Sequence, residues 1–234
     1  MTPRGGAVAS INQETPASRP ESPGRYGLLL ALLVGSYLLS SFVSARWVTA
    51  LNVALYATAV VLALRSAEVP QLVSRLIFLV VIAGSAVVIG LAAGTTINVG
   101  VLNLWVALVL LAGVVVIVHR VLSFGTVTLS SIFGAVSAYL LLGLMFASVY
   151  AAIDHLGAGH FFANGQSANG KTLQYFSFTT LTTLGYGDFT AAGSGGRSVA
   201  MLEALGGQVF LATLVARLVS AYGGSSRRRP PPGK

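Results

Sequence analysis

Apolar residues in this chain run in long uncharged blocks, separated by short polar or basic connections. No Asp, Glu, Lys or Arg occurs within 26–45, 47–64, 76–119 or 121–153. A helix needs about 20 apolar residues to cross about 30 Å of hydrocarbon. The block 76–119 is too long for one span, and the turn-forming residues 94–98 divide it. The pattern therefore predicts six spans: 27–44, 47–64, 77–95, 99–118, 127–152 and 198–221.

Composition supports an all-α integral membrane protein. Charged residues make up 9% of the chain and hydrophobic residues 55%, whereas about 25% of the residues of a soluble domain are charged. The chain has no cysteine, which excludes disulfides, thiolate metal sites and cysteine nucleophiles. No catalytic triad or metal cluster is evident in the sequence, so we expect neither an enzyme nor a cofactor.

The net charge of +8 indicates a membrane topology, not nucleic-acid binding. If both termini lie inside, all but three of the 14 Lys and Arg residues lie at cytoplasmic positions. The three exceptions are Arg46, Lys171 and Arg197. Because positive charge accumulates on the cytoplasmic side, we expect both termini to be cytoplasmic.

The two ends of the chain are polar. Residues 1–26 are rich in Pro, Ser, Gly and Thr and are expected to be disordered. This polar leader and the long apolar run after it argue against a cleavable signal peptide. Residues 223–234 form a basic tail, in which Arg227, Arg228 and Arg229 either set the topology or also bind anionic lipid.

A short polar segment between the last two spans carries the chemistry. Residues 171–183 are too few and too polar to cross a membrane, but they can form a three-turn helix, and Leu184-Gly185-Tyr186-Gly187-Asp188 follows them. Non-helical backbone at membrane depth is tolerated only where protein encloses it or where it lines a watery cavity. Glycines at alternate positions permit the positive φ values that turn successive carbonyls to one side. Such a row of oxygens can replace the hydration shell of a cation.

These residues resemble the tetrameric potassium-channel superfamily, whose filter is commonly written TTVGYGD. The match here is TTLGYGD at 182–188, and the resemblance covers residues 127–222. It implies a re-entrant pore helix, a homotetramer, and K⁺ sites formed by the carbonyls of Thr183, Leu184, Gly185 and Tyr186 with the Thr183 hydroxyl. It also implies that Gly187 completes the filter. The residues expected to support the filter are Asp188, Tyr175, Phe176, Thr179 and Thr182.

The same resemblance extends to the last span and to the domain organisation. It implies a gating hinge at Gly206 and Gly207, and an inner cavity or gate lined by Leu211, Val215 and Val219. Packing against neighbouring helices is the alternative role of these three side chains. The expected organisation is a four-helix domain at 27–120, similar in position to a voltage sensor, and a pore domain at 121–222.

Two departures from the family pattern change the functional expectation. Tyr175 and Phe176 stand where the family often has tryptophans around the filter, which leaves a weakly selective cation channel as an alternative. The span 99–118 contains no Arg or Lys. Steep voltage sensing requires several charges that cross the field, each giving about 2.3 kcal/mol per 100 mV. We therefore expect no conventional voltage gating, and the sequence does not identify the gating stimulus.

Three other features have competing interpretations. Residues 165–172 fit the phosphate-loop pattern, but they lack a preceding strand, and a polar loop is favoured over a nucleotide site. Glu203, inside the last span, either pairs with polar groups behind the filter or with Thr179 or Thr180 on the pore helix, or is a protonated or hydrogen-bonded packing residue. His155 and His160 are interpreted as loop residues, with a pH or metal site as the alternative.

The sequence thus predicts a membrane channel that conducts K⁺ passively. A transporter or a non-conducting membrane subunit is the alternative from another class. The chain has no visible inverted repeat, which disfavours a transporter.

Overall fold

The computed structural model describes residues 24–42, 99–123 and 127–225, together with the single residues Thr58 and Gly84. Within these residues the chain is helical, apart from the connections around the short fourth helix. The five helices are α1 (Gly24–Phe42), α2 (Val99–Ser123), α3 (Leu129–Leu156), α4 (Gly170–Leu181) and α5 (Ser194–Ser225).

Three of these helices are long and apolar enough to cross a membrane. They are Val99–Leu122, Leu129–Leu156 and Ser194–Arg217, and α1 adds the shorter apolar segment Tyr26–Ser36. The chain is therefore an all-helical membrane protein. The spans predicted at 47–64 and 77–95 lie outside the described residues, except for the helical residues Thr58 and Gly84.

The helix limits differ from the sequence expectation by a few residues. The predicted span 27–44 corresponds to α1, 99–118 to α2, 127–152 to α3 and 198–221 to α5. Hydropathy marks only the part of a helix that the bilayer surrounds, so polar ends are missed. The end of α3, for example, lies at Leu156, beyond the predicted limit of 152. Its start differs in the other direction, because Thr128 caps the helix together with Ser131 and the helix begins at Leu129 instead of 127.

The core joins α1 and α2 to α3. The helix α3 packs most extensively against α2 and also contacts α1, α4 and α5. The buried residues of this core are Leu29, Leu33, Ala107, Leu110, Val114, Ile117, Val121, Ala135, Ala138, Leu141, Leu144 and Met145. α3 is thus the central scaffold against which the remaining helices are positioned.

The connections on either side of α4 are tied to each other. Phe162 and Ala191 form an isolated antiparallel bridge, with Ala163 N–H donating to the Thr190 carbonyl at 2.8 Å and Ala192 N–H donating to the Phe161 carbonyl at 2.8 Å. A buried cluster that includes Phe161, Phe162 and Ala191 packs at the same place. The chain that enters α4 and the chain that leaves it are therefore held together beside the end of α3.

Candidate functional site

The short helix α4 starts at a well-defined cap. The side chain of Asn169 accepts hydrogen bonds from the backbone N–H groups of Lys171 and Thr172, at 3.0 and 3.1 Å. The Thr172 hydroxyl lies 2.9 Å from the Asn169 N–H, which completes a capping box. The GKT sequence that resembles a phosphate loop therefore forms the first turn of α4. A phosphate loop would follow a β-strand, but no strand occurs among residues 127–169. This agrees with the interpretation of the segment as a polar loop.

The strip after α4 has an unusual backbone. Gly185 and Gly187 have positive φ values of 46° and 80°, as the alternating glycines predict, and Thr183 also has a positive φ of 56°. Left-handed backbone is uncommon for a residue other than glycine. Nothing in the sequence indicated a positive φ at Thr183. The pore helix was expected to end near Thr183, but α4 ends at Leu181 with Thr182 as its cap.

The N–H groups of this strip point back toward α4. Leu184 N–H and Gly185 N–H both donate to the Thr179 carbonyl, at 2.8 and 3.1 Å. In a trans peptide the N–H of one residue and the carbonyl of the preceding residue point in opposite directions. The carbonyls of Thr183 and Leu184 therefore point away from α4. Thr179 supports the strip through its backbone, because its hydroxyl donates to the Phe176 carbonyl at 3.0 Å.

The base of the strip is in contact with α5. Gln208 Nε2 donates a hydrogen bond of 3.3 Å to the Thr183 hydroxyl oxygen. The neighbouring Thr182 hydroxyl donates to the Phe178 carbonyl at 2.7 Å, which caps the end of α4. Thr182 thus supports the helix end, while Thr183 is held from α5.

The outer part of the strip is supported by Tyr175. The rings of Tyr175 and Tyr186 are stacked, with centroids 6.5 Å apart and planes 9° from parallel. The Tyr175 hydroxyl also interacts electrostatically with the Asp188 carboxylate, and Asn164 Nδ2 donates to the Asp188 carbonyl at 2.8 Å. Asp188 is thereby joined both to α4 and to the loop before it.

Phe176 faces a different direction from Tyr175. Its ring is buried and packs against Tyr150, Phe161 and Phe162, with centroid distances of 5.0, 5.7 and 5.7 Å. Consecutive residues on a helix project about 100° apart, so only one of the two rings reaches the strip within the same chain. Phe176 anchors α4 to α3.

The glycine pair in α5 is asymmetric. A Cβ built on Gly207 would lie 2.3 Å from the Leu181 carbonyl oxygen and 3.0 Å from Leu181 Cδ1, whereas a Cβ on Gly206 would meet nothing within 4 Å. The Tyr139 hydroxyl donates to the same Leu181 carbonyl at 3.1 Å. Gly207 is therefore the point at which α5 approaches the end of α4 most closely, a packing role that the hinge expectation did not include.

Glu203, one turn before Gly207, is fully buried. Its Oε2 accepts a hydrogen bond from the Tyr150 hydroxyl at 2.5 Å, and its Oε1 lies 2.5 Å from Ser177 Oγ. The expectation that Glu203 pairs with Thr179 or Thr180 is wrong. A polar partner on α4 was correctly expected, because Ser177 belongs to α4. The other partner, Tyr150, belongs to α3.

The side chains predicted to line a cavity project from the exposed surface of the single chain. The exposed fractions are 37% for Leu211, 56% for Val215 and 66% for Val219. An adjacent side of α5 carries Glu203 and Gly207, which are buried, followed by the half-buried Phe210 and Leu214, which pack on the core. One face of α5 therefore packs within the chain, and the other is left to lipid or to other chains.

The interpretation of His155 and His160 as loop residues is wrong for His155, which lies in the last turn of α3. In the described part of the chain, no group of three or more His, Cys, Asp or Glu residues lies together. His155 Nδ1 lies 2.8 Å from the Ala151 carbonyl and 3.9 Å from Asp154 Oδ2. Arg227, Arg228 and Arg229 lie outside the described residues.

Sequence analysis missed four residues around the site: Tyr139, Tyr150, Ser177 and Gln208. Each is a hydrogen-bonding side chain within or beside an apolar helix, which was the available signal. Their partners lie on other helices, so only the packing of α3, α4 and α5 identifies them.

Comparison with known proteins identifies the family. No curated protein and no solved structure matches the chain. A family model described as an ion channel matches residues 104–223. The match covers more than half of the chain and includes most of α2, all of α3 and α4, and nearly all of α5. The chain therefore belongs to the ion channel family.

Proposed function

We propose that this ion channel conducts K⁺ selectively and passively, with the filter at 183–187. The observation that carries the proposal is the strip TTLGYGD at 182–188, held with its glycines at positive φ and with two of its N–H groups donating to one carbonyl of α4. That arrangement directs carbonyl oxygens away from α4. Oxygens presented in this way can replace the hydration shell that a cation loses when it enters the filter.

One chain contributes one such strip, so a closed ring of oxygens requires several copies. The proposed assembly is a homotetramer of six-span subunits in the cell membrane, with both termini in the cytoplasm. The exposed apolar face of α5 supports association, because Met201, Leu202, Leu205 and Val209 are each at least 59% exposed in the single chain. In the tetramer, Leu211, Val215 and Val219 would line the inner cavity or gate.

The proposed channel is not conventionally voltage-gated. Arg120, in the last turn of α2, is the only Lys or Arg of that helix. One charge per subunit gives at most about 2.3 kcal/mol per 100 mV, and less if it crosses only part of the field. The open probability should therefore change only gradually with voltage. In the proposed channel, Gly206 and Gly207 form the gating hinge.

The test is current across a planar bilayer that contains the purified protein, with K⁺ on one side and Na⁺ on the other. We expect unitary current steps and a reversal potential near the K⁺ equilibrium value. Gly185→Ala and Gly187→Ala should abolish selectivity or conduction, because an L side chain is strained at their positive φ values. Gly193→Ala is the matched control, since that glycine lies outside the strip and a Cβ there meets nothing within 4 Å.

A second candidate is a weakly selective cation channel. It is favoured by the single aromatic support that the strip receives among the described residues, since Tyr175 stacks on Tyr186 while Phe176 packs against α3 and the loop after it. A reversal potential near zero with clear unitary steps would establish it. Normal K⁺ selectivity in both glycine variants would refute the filter assignment, and transport without unitary steps would favour a transporter.

A further inference from the structure

The hydrogen bonds around Glu203 determine where its proton lies. Ser177 Oγ is in contact with two oxygens, the Gly143 carbonyl at 2.7 Å and Glu203 Oε1 at 2.5 Å. A serine hydroxyl has one proton, and a backbone carbonyl can only accept. If Ser177 donates to Gly143, the proton in the short contact between Ser177 and Glu203 must come from the carboxyl group.

The remaining contact fits the same assignment. The Tyr150 hydroxyl donates to Glu203 Oε2 at 2.5 Å, so that oxygen acts as the acceptor of a carboxylic acid. Each of the three contacts then contains one proton. Tyr150 donates to Glu203, Glu203 donates to Ser177, and Ser177 donates to the Gly143 carbonyl. No hydroxyl in this chain of bonds has to donate twice.

Burial also favours the neutral acid. Glu203 is fully buried in a helix long and apolar enough to cross a membrane, and a buried carboxylate is costly unless a cation or several donors compensate it. The titratable groups that face Glu203 are Tyr150 and, at longer range, Tyr139, both on α3. From α4 it meets the uncharged Ser177. Among the described residues, no Lys or Arg is paired with it.

We propose that Glu203 is a neutral carboxylic acid that donates its proton to Ser177 and thereby positions α4, the helix that carries the filter, against α5. Its functional consequence rests on the proposed function. Glu203 joins α5 to α4 and α3 at once, and Gly207 packs on the end of α4 one turn later. A displacement of α5 would therefore break hydrogen bonds to the helix that carries the filter. Glu203 is a positioning residue, because none of its contacts reaches the proposed ion path.

Infrared spectroscopy of the full-length protein in lipid vesicles tests the protonation state directly. A protonated carboxyl group has a carbonyl-stretching band that is separate from the carboxylate and amide bands. We expect such a band at neutral pH, its loss in Glu203→Gln, and its shift in Tyr150→Phe, which removes the donor to Oε2. A merely space-filling role for Glu203 would not produce the shift. A spectrum with no acid band, or an acid band unchanged by Glu203→Gln, would overturn the proposal.

A measurement on the unsubstituted protein keeps the test independent of any variant that misfolds. Labelling the side-chain carboxyl carbons of the glutamates with ¹³C shifts only the infrared bands of these carboxyl groups. The other glutamates lie at positions 14, 21 and 68, outside the long uncharged blocks. We expect a labelled acid band at neutral pH, where solvent-exposed glutamates give carboxylate bands. A labelled spectrum with only carboxylate bands at neutral pH would refute the assignment.

Conduction provides the functional comparison. Glutamine matches the shape of glutamic acid and supplies both a donor for Ser177 and an acceptor for Tyr150. Glu203→Gln should therefore retain K⁺ selectivity, whereas Glu203→Ala should lose it, because the Tyr150 hydroxyl loses its acceptor and Ser177 Oγ loses its donor. Loss of selectivity in both variants would overturn the positioning role. An acid band in a parent protein that shows no K⁺ selectivity would refute the proposed function and leave the protonation assignment intact.

Discussion

Replacing Gly207 by alanine tests whether this glycine is required for close packing or for bending. The added Cβ would lie 2.3 Å from the Leu181 carbonyl oxygen, whereas ordinary van der Waals contact begins near 3.4 Å. Either α5 or the end of α4 must therefore move by about 1 Å. The carbonyl has little freedom to withdraw, because it belongs to the last residue of α4 and accepts a hydrogen bond from Tyr139.

The magnitude follows from two opposing effects. Overpacking a close contact costs about 1–3 kcal/mol, while alanine is favoured over glycine inside a helix by about 1 kcal/mol. We expect the steric effect to exceed the propensity gain, which gives a net destabilisation of up to about 2 kcal/mol. Gly206→Ala is the matched control. It has the same propensity gain and no atom within 4 Å of the new Cβ, so it should be neutral or slightly stabilising.

The assay is denaturant unfolding of both variants in the same detergent, followed by K⁺ flux in vesicles. Packing predicts lower stability and altered flux for Gly207→Ala, whereas Gly206→Ala should keep a near-normal stability. If Gly207 acts only by bending α5, alanine should change the flux without lowering the stability. A Gly207→Ala protein that is as stable as Gly206→Ala would refute the packing argument.

Two further predictions concern the contacts around the strip. Tyr139→Phe removes the donor to the Leu181 carbonyl and should lower the free energy of unfolding by about 1 kcal/mol, which the same denaturant assay measures; an unchanged stability would show that this bond contributes nothing. Tyr175→Phe and Asp188→Asn each disturb the interaction between the Tyr175 hydroxyl and the Asp188 carboxylate, so the double variant should change the K⁺-to-Na⁺ permeability ratio by less than the two single effects combined. Additive effects would mean that the two side chains act independently.

The sequence specified the helices well because the membrane imposes a simple rule. An apolar block long enough to cross hydrocarbon must be helical to satisfy its backbone, so α2, α3 and α5 could be predicted to within a few residues. The exceptions were the polar ends. The start of α3 depends on the hydrogen bonds between Thr128 and Ser131, which hydropathy does not detect.

The sequence also located the candidate site, because its backbone conformation depends on residue type. Glycine is the residue that adopts positive φ at little cost, so Gly185 and Gly187 predicted the backbone conformation of the strip. The positive φ of Thr183 could not be anticipated, since threonine disfavours it and only the surrounding contacts hold it there.

Which residues contact each other between helices was decided by the tertiary structure alone. Spacing showed that Glu203 would lie inside a span, but which hydroxyls it meets depends on how α5 is rotated and where it crosses α3 and α4. The same packing distinguishes Gly207 from the adjacent Gly206. Periodicity along one helix fixes which residues share a face, whereas contacts between helices depend on positions that are distant in the sequence.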